Sequence, residues 1–150
     1  NTPAQLWSNA FSNPANEPEH HVPVQFNPRR APERTPKWTN HICRKAYRNA
    51  VDGLCGNEDV GQMSAWYILA ASGFHPLCPG LPEYEITSPI FDRITYNLPS
   101  GNQFVITADR PSPDAIYIDT VTLNGEKLTG TAIPHSAIIN GGTLHFKLTQ

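Results

Sequence analysis

Two short stretches of this 150-residue chain bring together side chains able to do chemistry. In the first, Asn57-Glu58-Asp59 lies between Gly56 and Gly61 and runs into an apolar segment that begins at Gln62. Adjacent carboxylates at the start of a helix face the partial positive charge of its unpaired N–H groups, which favours the ionised form and suits a general base. The same residues also meet a simpler need, because Asp59 followed three residues later by Gln62 has the spacing of a capping box. Both uses are compatible, since one carboxylate can cap while the other faces a cleft. In the second stretch, Glu17, Glu19, His20 and His21 are interrupted by Pro18 and bounded by Pro23. Two carboxylates and two imidazoles could bind a divalent cation, and the hard oxygen donors of Asn16 and Glu17 suit calcium better than zinc. Zinc through His20 and His21 is disfavoured, because neighbouring histidines on extended backbone diverge and the helical H-E-x-x-H spacing is absent. The alternative is a polar loop with one histidine packed and one solvated. Trp66 and Tyr67 either stack on a sugar or fill a core, and the helical spacing of Trp66 with Met63 and Ala70 favours the core. No G-x-S-x-G nucleophile and no phosphate-cradling glycine loop occurs.

The elements that must hold these residues follow from periodicity. Before Trp38 many of the 15 prolines forbid long helices, leaving a short helical turn around Gln5 to Phe11 and then ordered loop. From Trp38, the apolar positions Ile42, Ala46, Tyr47, Ala50 and Val51 predict an amphipathic helix with Thr39 or Asn40 as N-cap and Gly53 as stop. After the loop, Met63, Trp66, Tyr67, Ala70 and Ala71 predict a second helix from Gln62 to Ser72. Ala65, Ile68 and Leu69 make it apolar on nearly every face, so it asks for more neighbours than a chain this short provides. Beyond Gly73, Ile94/Tyr96/Leu98 and Phe104/Ile106/Ala108 predict a hairpin across Pro99-Ser100-Gly101-Asn102. Ala115 to Leu123 predicts a strand ending in the turn Asn124-Gly125, and Leu144/Phe146/Leu148 another. The expectation is an α+β chain whose last 65 or so residues form antiparallel sheet.

Composition narrows the function classes. The formal net charge is −2 and no basic cluster is interleaved with aromatics, so a nucleic-acid surface is not expected. No stretch approaches the roughly 18 apolar residues that cross a bilayer, so no membrane partner is expected either. The start, Asn1-Thr2-Pro3-Ala4, has neither initiator Met nor signal-peptide pattern, which suggests a chain that begins inside a longer gene product. Cys43, Cys55 and Cys78 form no C-x-x-C pair, and each is read as a small buried hydrophobe.

The string Asn16-Glu17-Pro18-Glu19-His20-His21-Val22-Pro23, followed by Gly53-Leu54-Cys55-Gly56-Asn57-Glu58-Asp59-Val60-Gly61-Gln62-Met63-Ser64-Ala65-Trp66-Tyr67, closely resembles the C-terminal part of glycoside hydrolase family 92, the calcium-dependent exo-acting α-mannosidases. Gly73-Phe74-His75-Pro76, Pro79-Gly80, Tyr84 to Phe91 and Thr122-Leu123-Asn124-Gly125 extend the resemblance from about residue 14 to the end. It implies residues 1–82 as the last helices of an (α/α)6 barrel and 83–150 as an antiparallel β region, incomplete as a stand-alone catalytic domain. It implies an inverting hydrolase of α-1,2 type that releases mannose from N-glycans or mannans outside the cytoplasm. Inversion needs an acid to protonate the leaving oxygen and a base to activate water on the opposite face. The resemblance assigns the base to Asp59, with Glu58 and Asn57 positioning water or sugar. His20, His21 and Gln62 become sugar contacts, and Asn16 and Glu17 ligands of Ca2+, which holds the vicinal O2 and O3 of the terminal mannose.

Two departures stand out. Nothing in Asn1 to Asn13 supplies the family's general acid, so the chain alone is expected to be inactive and to depend on the remaining N-terminal portion of the enzyme. Between His21 and Trp38 the sequence is longer and more basic than the family stretch, with Arg29, Arg30 and Arg34. The competing readings are a non-catalytic, calcium-dependent carbohydrate-binding module and a purely structural β module.

Overall fold

A computed structural model describes residues 19–150, and the short helical turn expected around Gln5 to Phe11 lies outside them. One turn of 3₁₀ helix, Val22–Val24, with Pro23 at its start, leads into α1, Arg34–Lys45. That helix begins four residues before the expected Trp38. Pro36 does not block it, because a proline in the first turn gives up an N–H that has no intrahelical partner there. Thr39 and Asn40 are therefore interior rather than capping residues. Thr39 Oγ1 donates to the Thr35 carbonyl at 2.8 Å, and Asn40 Nδ2 donates to Ser88 O at 3.2 Å. The helix stops at Lys45, well short of Gly53, so Tyr47 reaches the core from the following turn while Ala50 and Val51 are exposed.

Helix α2, Gln62–Ser72, has the expected bounds. Both ends are set by glycines in the left-handed region, Gly61 at φ 86° and Gly73 at φ 105°. Its burial is one-sided: Met63, Trp66, Ala70 and Ala71 are sealed in a cluster with Ile42, Cys43, Ala46, Tyr47 and Cys55, whereas Ile68 is 52% exposed. Val51, Ile68 and Phe91 border one groove along this outer face, together with Arg44, Lys45 and Arg48.

Among the described residues, eight strands make two sheets. β1 (Phe74–His75), β2 (Glu83–Ile86) and β7 (Ala132–Pro134) form one, in the order β1-β2-β7. The other joins β3 (Arg93–Asn97), β4 (Gln103–Asp109), β5 (Tyr117–Leu123), β6 (Glu126–Lys127) and β8 (Gly142–Thr149) in the order β3-β4-β8-β5-β6. The β3–β4 hairpin is as expected, and so is the turn after β5, where Asn124 at φ 52° and Gly125 at φ 86° supply two successive left-handed residues. The all-antiparallel expectation is corrected at one place. β8 slots between β4 and β5 and runs parallel to β4, Phe104 opposite Gly142 and Ala108 opposite Phe146. Alternation of period two is the same for either direction, so the sequence pattern cannot distinguish them. A short helix, α3 (His135–Ile139), leads into β8 and was not expected.

The helical and sheet cores are fastened by buried polar links. Thr87 Oγ1 donates to Ala70 O at 2.8 Å, Thr87 N to Gly73 O at 2.8 Å and Ile90 N to Ala71 O at 2.9 Å. Ile90 N satisfies Ala71 O, and Thr87 Oγ1 adds a second bond to Ala70 O, which also accepts from Gly73 N at 3.3 Å. Gly73 touches the sheet core so closely that a Cβ there would meet Phe146 Cζ at 2.8 Å. Among the described residues no helix is long and apolar enough to cross a membrane.

Candidate functional site

The Gly56–Gly61 loop is held by the start of α2. The first three N–H groups of that helix all find partners in the two residues singled out as carboxylates. Gln62 N donates to Asp59 O at 3.3 Å, Met63 N to Glu58 O at 3.2 Å, and Ser64 N to Glu58 Oε1 at 3.0 Å. Ser64 Oγ adds a bond to Glu58 Oε2 at 2.8 Å. Glu58 caps the helix with its side chain, and Asp59, expected to pair with Gln62 in a capping box, accepts the Gln62 N–H on its backbone carbonyl. Asp59 at φ 45° and Val60 at φ 60° are both left-handed. A left-handed valine is costly, since its branched Cβ crowds the backbone. Asp59 and Asn57 are exposed, and Glu58 is half-buried.

Beside this loop lies an open cleft of about 700 Å³, bordered by His20, His21, Gln62, Trp66, His75 and Cys78 together with apolar side chains from α2 and the turn after β1. Three of the residues expected to touch sugar, His20, His21 and Gln62, therefore meet in one place, although some 40 positions separate the histidines from Gln62 in sequence. Asn57, Glu58 and Asp59 do not border this cleft; they stand on the loop that leads into it through Gln62. Asn16 and Glu17 lie outside the described residues. Among the described residues no group of three or more His, Cys, Asp or Glu side chains is placed to hold a metal ion.

Trp66 forms the floor. It is 2% exposed, and its Nε1 donates to the His20 carbonyl at 2.8 Å, which ties the histidine segment to α2. Tyr47 stacks on its ring at 5.8 Å, while His20 and His75 lie at 5.5 and 6.0 Å. The core reading of Trp66 holds. His20 is the packed histidine of its pair, and His21 is half-buried.

His75 was not anticipated as a site residue. Burial brings its imidazole down from 6.5 to about 4; its bond to Pro76 O opposes the shift, and the nearby His20 and His21 add to it. Its Nδ1 lies 2.8 Å from Pro76 O. No spacing signal marks this residue, because only the fold of β1 against α2 carries it to Trp66 and His20. All three cysteines are free thiols. Burial raises Cys43 to about 12 and also raises Cys55, as expected of inert core residues. Cys78 departs from the expectation, being exposed at the cleft rim where the chain leaves the core through Pro76 and Pro79.

Known proteins are similar to this chain in sequence and fold. Residues 2–150 match the glycosyl hydrolase family 92 catalytic domain. The structure of the family GH92 α-mannosidase BT3965 from Bacteroides thetaiotaomicron, in complex with mannoimidazole, superposes with a TM-score of 0.86 at 36% identity, over 91% of this chain and 18% of that one. The inverting family GH92 mannosidase BT2199 from the same organism gives a TM-score of 0.78 at 35% identity, over 90% and 19%. A protein described as an uncharacterized secreted glycosidase of Arthroderma benhamiae is 28% identical over 137 residues, 89% of this chain and 18% of that protein. The chain thus spans about a fifth of the length of these relatives.

Proposed function

This chain belongs to glycosyl hydrolase family 92, and from that premise we propose that it is the C-terminal part of an inverting, calcium-dependent exo-α-mannosidase that releases terminal mannose from N-glycans or mannans outside the cytoplasm. The observation that carries the reading is the combination of a family-wide match with a carboxylate loop locked to α2 beside a cleft lined by His20, His21 and Gln62. An inverting relative supports the stereochemistry, and a relative named as secreted supports the location. We assign the scissile bond to the α-1,2 class on the sequence resemblance.

In this mechanism Asp59 is the base. Its carboxylate takes a proton from water, and the oxygen attacks the anomeric carbon on the face opposite the departing oxygen. Glu58, with both oxygens engaged by Ser64, keeps the loop in place and is assigned a positioning rather than a proton-transfer role. The acid that protonates the leaving oxygen belongs to the N-terminal portion of the enzyme. That portion would also cover the exposed apolar face of α2 and complete an (α/α)6 barrel around it, so the isolated chain should not turn over. Asn16 and Glu17 are the proposed calcium donors, with oxygen chemistry suited to a hard cation. When bound, the ion would engage vicinal hydroxyls of the terminal mannose.

The test is proton NMR of a fresh digest of an α-mannobioside panel by the complete enzyme, with and without chelator. β-Mannose as the first product, lost on chelation and restored by calcium, is expected. α-Mannose first, or activity indifferent to chelation, contradicts the reading. A carbohydrate-binding module would instead show calcium-dependent mannose binding with no product at all.

A further inference from the structure

We propose that His75 receives a hydroxyl of the bound sugar on its Nε2 and so helps select which sugar the cleft accepts. The inference rests on the mannosidase reading, and deepens it by adding a residue to the sugar site.

The atom roles follow from the partner of Nδ1. The Pro76 carbonyl, 2.8 Å away, has lone pairs and no proton, so Nδ1 must carry the hydrogen and donate it. In a neutral imidazole the other nitrogen is then an acceptor. The surroundings favour the neutral ring: His75 is 9% exposed, and burial together with the nearby His20 and His21 disfavours a proton. Nε2 has no hydrogen-bond partner among the described residues, yet it is not among the sealed polar atoms. The space that the ring borders is the cleft shared with His20, His21 and Gln62. An acceptor that is fixed by its neighbours and open to a cleft is suited to a hydroxyl donor from a ligand. The rest of the lining fits the same class of molecule. Leu69, Leu77 and Pro79 offer apolar surface to the C–H face of a pyranose, while Gln62 can donate and accept at its hydroxyl rim.

The test is steady-state kinetics of the complete enzyme on an aryl α-mannoside and its monodeoxy forms. His75→Asn keeps an N–H near Pro76 O and removes the acceptor at Nε2, whereas His75→Gln replaces that acceptor with an amide oxygen. The expected result is a rise in KM of about tenfold for His75→Asn on the parent sugar, the order of one lost hydrogen bond. It should come with kcat within about twofold of wild type, partial recovery in His75→Gln, and disappearance of the difference on one particular monodeoxy sugar. The same KM penalty on every monodeoxy sugar, or an unchanged KM, overturns the assignment while leaving the mannosidase reading intact. If His75→Asn does not fold, the monodeoxy comparison is made with His75→Gln, and a KM change relative to wild type that is the same on every sugar overturns the assignment equally. A wild-type enzyme that releases no mannose removes the underlying reading, and the assignment with it.

Discussion

Ser64 occupies both carboxylate oxygens of Glu58, its amide on Oε1 at 3.0 Å and its hydroxyl on Oε2 at 2.8 Å. The pair fastens the loop that carries Asp59 to the first turn of α2. Glu58→Ala should therefore lower stability by about 1–2 kcal/mol, as loss of a helix cap does. Ser64→Ala, which keeps the amide bond, should cost about half as much. The two changes act on one link, so the double variant should cost little more than Glu58→Ala alone in urea titrations. Full additivity would show that the two side chains act separately.

Val60 carries strain and, among the described residues, has no contact to justify it, being fully exposed at φ 60°. Asparagine tolerates the left-handed region far better than a β-branched residue does. Val60→Asn should raise stability by about 0.5–1 kcal/mol, read as a higher denaturant midpoint. A lower midpoint would mean that the valine packs against the remainder of the enzyme.

His75 gives the fold a pH dependence of defined sign. Its folded value of about 4 lies below the ordinary 6.5, so as pH falls between these values the unfolded chain takes up a proton that the folded one refuses. Its contribution to stability is complete above about pH 6.5, is lost progressively toward pH 4, and levels off below that. A difference of this size corresponds to about 3 kcal/mol. Urea midpoints at pH 7 and pH 4 should converge more for His75→Asn than for the wild type. Equal losses in both would contradict a buried, neutral imidazole.

Gly73 joins helix to sheet. At φ 105° it ends α2, and a Cβ would meet Phe146 Cζ at 2.8 Å and Pro89 Cδ at 3.2 Å. Gly73→Ala combines backbone strain with overpacking and should destabilise by about 2–4 kcal/mol. A loss below about 0.5 kcal/mol in denaturant titration would show that the helix and sheet cores are not tightly coupled there.

Local signals were legible where one residue type is nearly obligatory. The bounds of α2 follow from Gly61 and Gly73, and the β5–β6 turn from Asn124-Gly125. The start of α1 was misplaced because Pro36 reads as a helix breaker, although a first-turn position makes it harmless. The parallel β4–β8 pair was invisible because strand direction is decided by chain connections and leaves no trace in alternation. At the site, His20, His21 and Gln62 came from motif strings and do meet at the cleft. That Glu58 caps α2 through Ser64, six residues on, was not legible, because this spacing is not that of a capping box. His75 was legible only in three dimensions, since Trp66 and His20 reach it from separate segments.

The central claim is that this chain supplies the base half of an inverting site. It is tested most directly by kcat of the complete enzyme carrying Asp59→Asn, on α-mannosides with poor and good leaving groups. A base is needed whatever the leaving group, so kcat should fall by about 10²–10⁴-fold on both. Activity retained on both substrates, or restored by the good leaving group as loss of an acid would be, would contradict the account.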